Sequence, residues 1–272
     1  MLKPEIFYPS SELQKYVLEY GVLNTPQGSK EPFFYPPTGL SGFVFQAGES
    51  SKEFRVVVQE KDFSLRLPRV IGQVTEPIHG EILGEVKILI VFFHPLGMYQ
   101  LFGVDMGPLK NESSSLSLAL PPQQYKSLME HLSASKDTPD LIRILDDFLC
   151  SLIPPESGST KMIRVLDFIH KRKGNVSIPE LARVGFYHRK TLERHFRKMV
   201  GLAPKEYARI YQFKCLIQLI HSKQDITWSQ LAVQAGYYDL SHLSRYVHDY
   251  LQVAPNSIVK LEMDLIYYLL DK

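Results

Sequence analysis

One pattern occurs twice between Val176 and Pro255, and it limits the possible fold more than any other feature of the chain. Val-Ser-Ile-Pro-Glu-Leu-Ala at 176–182 is followed by Thr-Leu-Glu-Arg at 191–194, then Gly201 and Pro204. Ile-Thr-Trp-Ser-Gln-Leu-Ala at 226–232 is followed by His-Leu-Ser-Arg at 242–245, then Pro255. Arg194 to Pro204 and Arg245 to Pro255 are equally spaced, so the segment is a duplicated unit.

Each copy reads as two short helices joined by a tight turn. In the first, Ser177 can cap an orphan amide, and Pro179 comes early enough not to break the helix. Ile178, Leu181 and Ala182 share one face, and the turn is expected around Gly185. The second helix, from about His188, places Leu192, Phe196 and Met199 on one side. Its other side carries Arg189, Lys190, Glu193, Arg194, Arg197 and Lys198. Gly201 suits the left-handed residue that ends a helix, and Pro204 suits the first turn of the next.

The second copy repeats the plan. Thr227 is the expected cap, Gly236 the turn, and Asp239 the cap of a helix burying Leu243, Val247 and Tyr250. Ala182 to Leu192 is ten positions and Ala232 to Leu243 is eleven, so the second turn holds one extra residue. Between the copies, residues 204–221 form an uninterrupted helical pattern about 27 Å long.

Charge separates the two halves. Residues 1–150 hold 13 Lys+Arg and 18 Asp+Glu, net −5, whereas 151–272 hold 18 and 11, net +7. Within the second half the segregation continues: residues 161–223 carry net +11 and residues 224–272 net −3. A cationic surface in the repeat region is what phosphate binding requires. The second unit lacks most of those cations.

Leu-Ala, a turn, Leu-x-Arg-x-Phe and Gly-x-x-Pro in the first copy, then Leu-Ala-x-x-x-Gly-Tyr-x-Asp-x-Ser-His-Leu-x-Arg in the second, resemble the DNA-binding domain of AraC/XylS-type transcription regulators over about Lys161 to Val259. The resemblance implies two helix-turn-helix units joined by a long helix, each placing its second helix in a major groove. It assigns base contact to Lys190, Glu193 and Arg194 in the first unit and to Ser241, Ser244 and Arg245 in the second. Arginine can bridge G O6 and N7, and glutamate can accept from cytosine N4. A surface ion pair between Lys190 and Glu193 is the competing role for those two. Arg189, Arg197, Lys198 and the run Lys171-Arg172-Lys173 are the phosphate-contact candidates; the last three are equally compatible with cations at a helix C-terminus.

Several positions depart from that family. Phe186 stands where it often has glycine, His188 where a serine would cap the recognition helix, and Ala203 where Ser or Thr is common. Val247, His248, Asp249 and Gln252 replace an aromatic, basic residues and a helix-ending glycine in the second unit.

The first 150 residues are β-rich. Strands are expected at Tyr16–Leu23, Gly42–Ala47, Phe54–Gln59, Phe63–Ile71 and Glu85–Phe93, with turns at Asn24–Ser29, Pro36–Gly39 and Gly48–Lys52. The spacing suggests an antiparallel barrel or sandwich. Helices are expected at Pro122–Ser133 and Pro139–Leu152. Tyr8-Pro9, Phe33 to Gly39, and Phe93-His94-Pro95-Leu96-Gly97 with Leu101-Phe102-Gly103 look similar to one uncharacterised variety of N-terminal domain found in such regulators. In the family this region serves sensing and dimerisation.

The expected fold is therefore α+β: an N-terminal antiparallel β barrel or sandwich with helices, and an all-α C-terminal domain. The boundaries fall at 1–152, a Pro/Gly/Ser-rich linker at 153–160, and 161–272, with Leu261–Leu270 read as a terminal helix. His79, Glu81 and His94 lack the His-x-His spacing of a metal-binding cupin, and no cofactor or metal is expected. Neither a P-loop, a dinucleotide fingerprint nor a Ser/His/Asp context occurs, so catalysis is not expected. Phe33, Phe34, Tyr35, Phe43, Phe45, Phe92, Phe93, Tyr99 and Phe102 suffice either to fill a core or to line a small-molecule site. Met1–Tyr20 has no signal-peptide core, Ile88–Phe93 is too short to span a membrane, and Cys150 and Cys215 read as reduced thiols, all of which point to the cytoplasm.

The partners expected are double-stranded DNA and no membrane; the resemblance also leaves room for a small-molecule effector, RNA polymerase and a second copy of the chain. The alternative is a protein-interaction scaffold with a degenerate second unit and vestigial DNA binding.

Overall fold

The computed structural model describes residues 4–47, 55–58, 61–63, 68–135, 137–155, 159–222 and 227–254. The expected turn at Gly48–Lys52, Pro255 and the terminal helix at Leu261–Leu270 lie outside the described residues.

Among the described residues ten strands occur in the N-terminal part: β1 Glu5–Phe7, β2 Val17–Thr25, β3 Lys30–Tyr35, β4 Ser41–Ala47, β5 Arg55–Val58, β6 Lys61–Phe63, β7 Arg69–Ile71, β8 Ile78–Leu83, β9 Val86–Phe93 and β10 Ser113–Ser115. They form one sheet in the order β1-β2-β9-β4-β7-β10 and a second in the order β3-β8-β5-β6. Every pairing described is antiparallel. Among the described residues the two sheets form a sandwich and no closed barrel.

The near-continuous apolar run of β9 follows from its place between β2 and β4 with both faces covered. Leu89, Val91 and Phe93 on one face join Phe43, Phe45, Tyr16 and Tyr20 in the main core. Ile88 and Ile90 on the other face meet Ile82 and Phe33 of the second sheet. Phe43, Phe93 and Phe102 interlock with ring centroids 4.9 to 5.9 Å apart. For these three rings, core packing is what the structure shows.

Three helices accompany the sheets: α1 Gly97–Phe102, α2 Pro122–Ala134 and α3 Thr138–Cys150. Leu128 and Leu132 of α2 and Leu141, Leu145 and Leu149 of α3 pack into the main core. Asp137 caps α3 by accepting from Asp140 N at 2.9 Å, and the Tyr20 hydroxyl donates to Asp146 at 2.8 Å.

The expected single strand Phe63–Ile71 is instead two, β6 and β7, belonging to different sheets. Pro68 lacks the amide that a continuing ladder would need. Strands β1, β3, β8 and β10 and helix α1 lie outside the expected elements. Pro32 obscures β3, and β8 carries His79, Gly80 and Glu81 at its centre, so neither shows clean alternation. Asn24, expected in a turn, is in β2, paired with Lys87.

The C-terminal part is helical: α4 Thr160–Lys171, α5 Ile178–Gly185, α6 Arg189–Val200, α7 Pro204–Ser222, α8 Trp228–Gln234 and α9 Leu240–Leu251. Helix α7 spans 19 residues, about 28 Å, and buries Tyr207, Ala208, Ile210, Phe213, Leu216 and Ile217. Buried residues surround it because both repeat units pack on it. Leu181, Leu192 and Phe196 reach it from one unit, and Leu231, Leu243 and Val247 from the other, in one continuous core. Each such side chain contributes about 1.5–3 kcal/mol by leaving water.

Candidate nucleic-acid interface

Each helix-turn-helix is held by a local device legible in its residues. Ser177 accepts from Glu180 N while the Glu180 carboxylate accepts from Ser177 N at 2.8 Å, a capping box at the start of α5. The Ser177 hydroxyl, which also donates to that carboxylate at 2.7 Å, and then the Ser177 amide lower the carboxyl pKa of Glu180. Thr227 and Gln230 repeat the box at α8. Asp239 caps α9 by accepting from His242 N at 2.7 Å. His188 precedes α6 with no side-chain cap, as its residue type implies.

The two turns share one backbone plan. Tyr187 N donates to Ala182 O, and Tyr237 N to Ala232 O. Phe186 and Gly236 immediately before them both take positive φ, 53° and 75°. The first turn falls around Gly185, as expected. Gly185 ends α5 and is glycine for space, since a Cβ there would lie 2.6 Å from Val165 and 2.7 Å from the Tyr187 ring. The left-handed residue is Phe186, which is 72% exposed. The extra residue of the second turn is Tyr238, which is 91% exposed. Gln252 likewise ends α9 in the left-handed region, φ 56°, where Gly201 ends α6.

On α6, Leu192, Phe196, Met199 and Val200 face the core, and Arg189, Lys190, Arg194, Arg197 and Lys198 are exposed along the outer side. The only ion pair described on this face joins Arg189 Nε to Glu193 Oε1 at 3.1 Å, not Lys190 to Glu193.

Lys171, Arg172 and Lys173 are exposed at the end of α4. Arg172 lies over the Phe168 ring at 5.8 Å and 3.9 Å from Glu180. Lys173 takes a left-handed backbone, φ 50°.

On α9, Ser241 and Arg245 are exposed and Ser244 half-buried, with His248 and Asp249 also at the surface. Behind them, the rings of Tyr237, His242, Tyr246 and Tyr250 pack at 5.1 to 5.8 Å, and Arg209 of α7 lies over Tyr246 at 6.0 Å. The α7 side chain Gln212 donates to Ala235 O at 2.9 Å, tying the second unit to the connector.

The strand residues weighed as metal ligands have other surroundings. Glu81 pairs with Lys30 at 3.1 Å, and the His79 ring sits 4.8 Å from Phe34. His94 lies beyond the end of β9, its pKa lowered by burial, and less so by nearby Lys214, against a hydrogen bond that the ring donates to the Gln14 backbone. No group of three metal-ligating side chains occurs among the described residues. Nor is any described helix long and apolar enough to cross a membrane.

Sequence reasoning missed the contacts between the sheet region and the first unit. Met106 N donates to Lys198 O at 2.9 Å, and Lys110 Nζ meets Glu206 Oε1 at 2.6 Å. Leu96 is buried within the helical core. Glu206 at the third position of α7 was a legible capping signal, but nothing local points to Lys110 as its partner.

Residues 181–260 match the family described as a helix-turn-helix domain, and residues 5–115 match a domain of unknown function, DUF6597. Among solved structures, the chain is similar to ToxT from Vibrio cholerae: 10% identity, TM-score 0.44, covering 89% of this chain and 97% of that one. ToxT with a bound unsaturated fatty acid gives 10% identity and TM-score 0.44 over 93% and 96%. The AraC-like transcriptional activator CuxR gives 17% identity and TM-score 0.25 over 78% and 86%. Comparison with curated proteins returns no match. The two helix-turn-helix units, the long helix between them and the family match make residues 181–260 an AraC-type helix-turn-helix domain, which follows a domain of unknown function at 5–115.

Proposed function

We propose that this DNA-binding transcription regulator recognises a specific duplex sequence, with α6 as the dominant reading element. The observation that carries this reading is the outer side of α6, where five exposed cations line a helix whose opposite side is locked in the core. Lys190, Glu193 and Arg194 meet base edges, while Arg189, Arg197, Lys198 and the Lys171–Lys173 run hold phosphates. The Arg189 pair orients the Glu193 carboxylate and leaves it lone pairs for a cytosine amine. Helix α9 enters the next groove with Ser241, Ser244 and Arg245, making few phosphate contacts.

Functional boundaries follow at 1–152 for a sensing or dimerisation domain, 153–160 for the linker and 161–272 for DNA binding. A small-molecule effector acts through the first of these. The protein works in the cytoplasm, with RNA polymerase and a second copy of the chain as further partners.

A second reading rests on the second unit, where Val233 and Tyr238 are largely exposed and only Arg245 is basic among the described residues 227–254. In that reading, α9 docks a protein. Binding-site selection from random duplexes separates the two: two half-sites one helical turn apart support groove binding by both units. Asp249→Lys then strengthens binding. A single half-site, with Asp249→Lys neutral, moves the second unit to protein docking, and recovery of no sequence overturns the regulator reading.

A further inference from the structure

We propose that the loop Asp105–Lys110 is a positioning latch, through which the sheet region holds the first helix-turn-helix in its DNA-binding orientation. The proposal rests on the DNA-binding reading of α6. Three contacts converge on the loop, and a fourth lies beside it on α1. Met106, 1% exposed, donates its amide to Lys198 O at 2.9 Å, satisfying one of the carbonyls that the last turn of α6 leaves without a helical partner. Gly201, which ends that helix, approaches so closely that a Cβ on it would lie 3.0 Å from Met106 O. Lys198 Nζ sits 5.9 Å from the Tyr99 ring centroid, above α1. At the other end of the loop, Lys110 meets Glu206 at 2.6 Å.

Glu206 makes the last contact more than a surface ion pair. Its Oε2 accepts from Ala203 N at 2.8 Å, the reciprocal half of a capping box whose hydroxyl half is missing because residue 203 is alanine. One carboxylate thus starts the connector α7 and receives the sheet region's lysine. Burial opposes its charge, but the bonds from Lys110 and Ala203 prevail and lower its pKa.

The latch contacts are confined to the last turn of α6 and the first turn of α7. Lys190, Glu193 and Arg194, one to three turns away, have no described contact with the sheet region. The contact therefore leaves the base-reading end of α6 open while fixing the direction in which it points. No such contact is described for α9, so the latch acts on one reading head and sets its angle to the other.

The test uses the full chain, with hydrogen exchange measured in the absence of DNA and fluorescence anisotropy on a duplex recovered by selection. Lys110→Glu should raise amide exchange across 198–207 and weaken binding about tenfold, a coupling of ordinary size. Lys110→Arg, which keeps the charge, should do neither. Faster exchange with unchanged affinity would reduce the contact to a stabilising one and overturn the proposal. Tighter binding would overturn it by making the contact inhibitory, and unchanged exchange would do so by leaving it no weight. If the unaltered chain binds no duplex, the DNA-binding reading fails and takes the latch with it; the exchange arm tells that failure from the others.

Discussion

Phe186 holds the backbone position in the first turn that Gly236 holds in the second, and both are left-handed. A side chain in that region is strained by about 1 kcal/mol or more, and the exposed Phe186 ring recovers little of it by burial. Phe186→Gly should therefore stabilise the chain by about 0.5–1 kcal/mol after the entropy that glycine adds to the unfolded state. Gly236→Ala should destabilise by at least about 1 kcal/mol, since its Cβ would also lie 3.2 Å from Asn175. Urea titration of the full chain measures both. A destabilised Phe186→Gly variant would mean that the ring makes a contact of greater weight than the strain.

Ala203 leaves the capping box of α7 half-built, with Glu206 already in place. Ala203→Ser should supply the missing acceptor and gain about 1 kcal/mol, whereas Ser177→Ala should lose about 1 kcal/mol by removing the intact box of α5. Thermal melts compare the two directly. Equal, near-zero effects would show that tertiary packing, not capping, fixes both helix starts.

His170 sits where acid should act. Its Nε2 is 2.9 Å from the Tyr207 hydroxyl and its ring stacks on Tyr211 at 4.3 Å. Burial, followed by the charges of Lys214 and His94, lowers its pKa from 6.5 to about 4. The unfolded chain then binds more protons than the folded one between those values. This contribution to stability is present above about pH 6.5 and is lost progressively as pH falls toward 4. In His170→Gln, the pH dependence of Tm across that window should be shallower; an unchanged slope would place the acid-sensitive group elsewhere.

Arg194 and Lys198 lie on the same face of α6 but are assigned different work. Arg194→Ala should cost about 1–3 kcal/mol of specific binding and relax preference at one base pair. Lys198→Ala should weaken all duplexes alike and reduce the salt slope by about 0.9. Anisotropy at several salt concentrations, on selected and scrambled duplexes, distinguishes the two patterns. Uniform weakening by Arg194→Ala would reassign that residue to phosphate.

Local chemistry determined the C-terminal half. The repeat, the caps at Ser177, Thr227 and Asp239, the glycine ending α6 and the apolar side of each recognition helix all act within a few residues, so they are legible in order along the chain. The extra residue of the second turn was countable too, although only the backbone identified it as Tyr238 and showed Phe186 to be the left-handed residue of the first turn. What tertiary structure decided depends on distant partners. Strand β3 finds β8 across some fifty residues, and the run expected as one strand from Phe63 divides between two sheets. Lys110 meets a carboxylate 96 positions away. Such pairings are set by which faces remain to be covered once the central strand β9 is buried, and neither propensity nor periodicity at a single site carries that information.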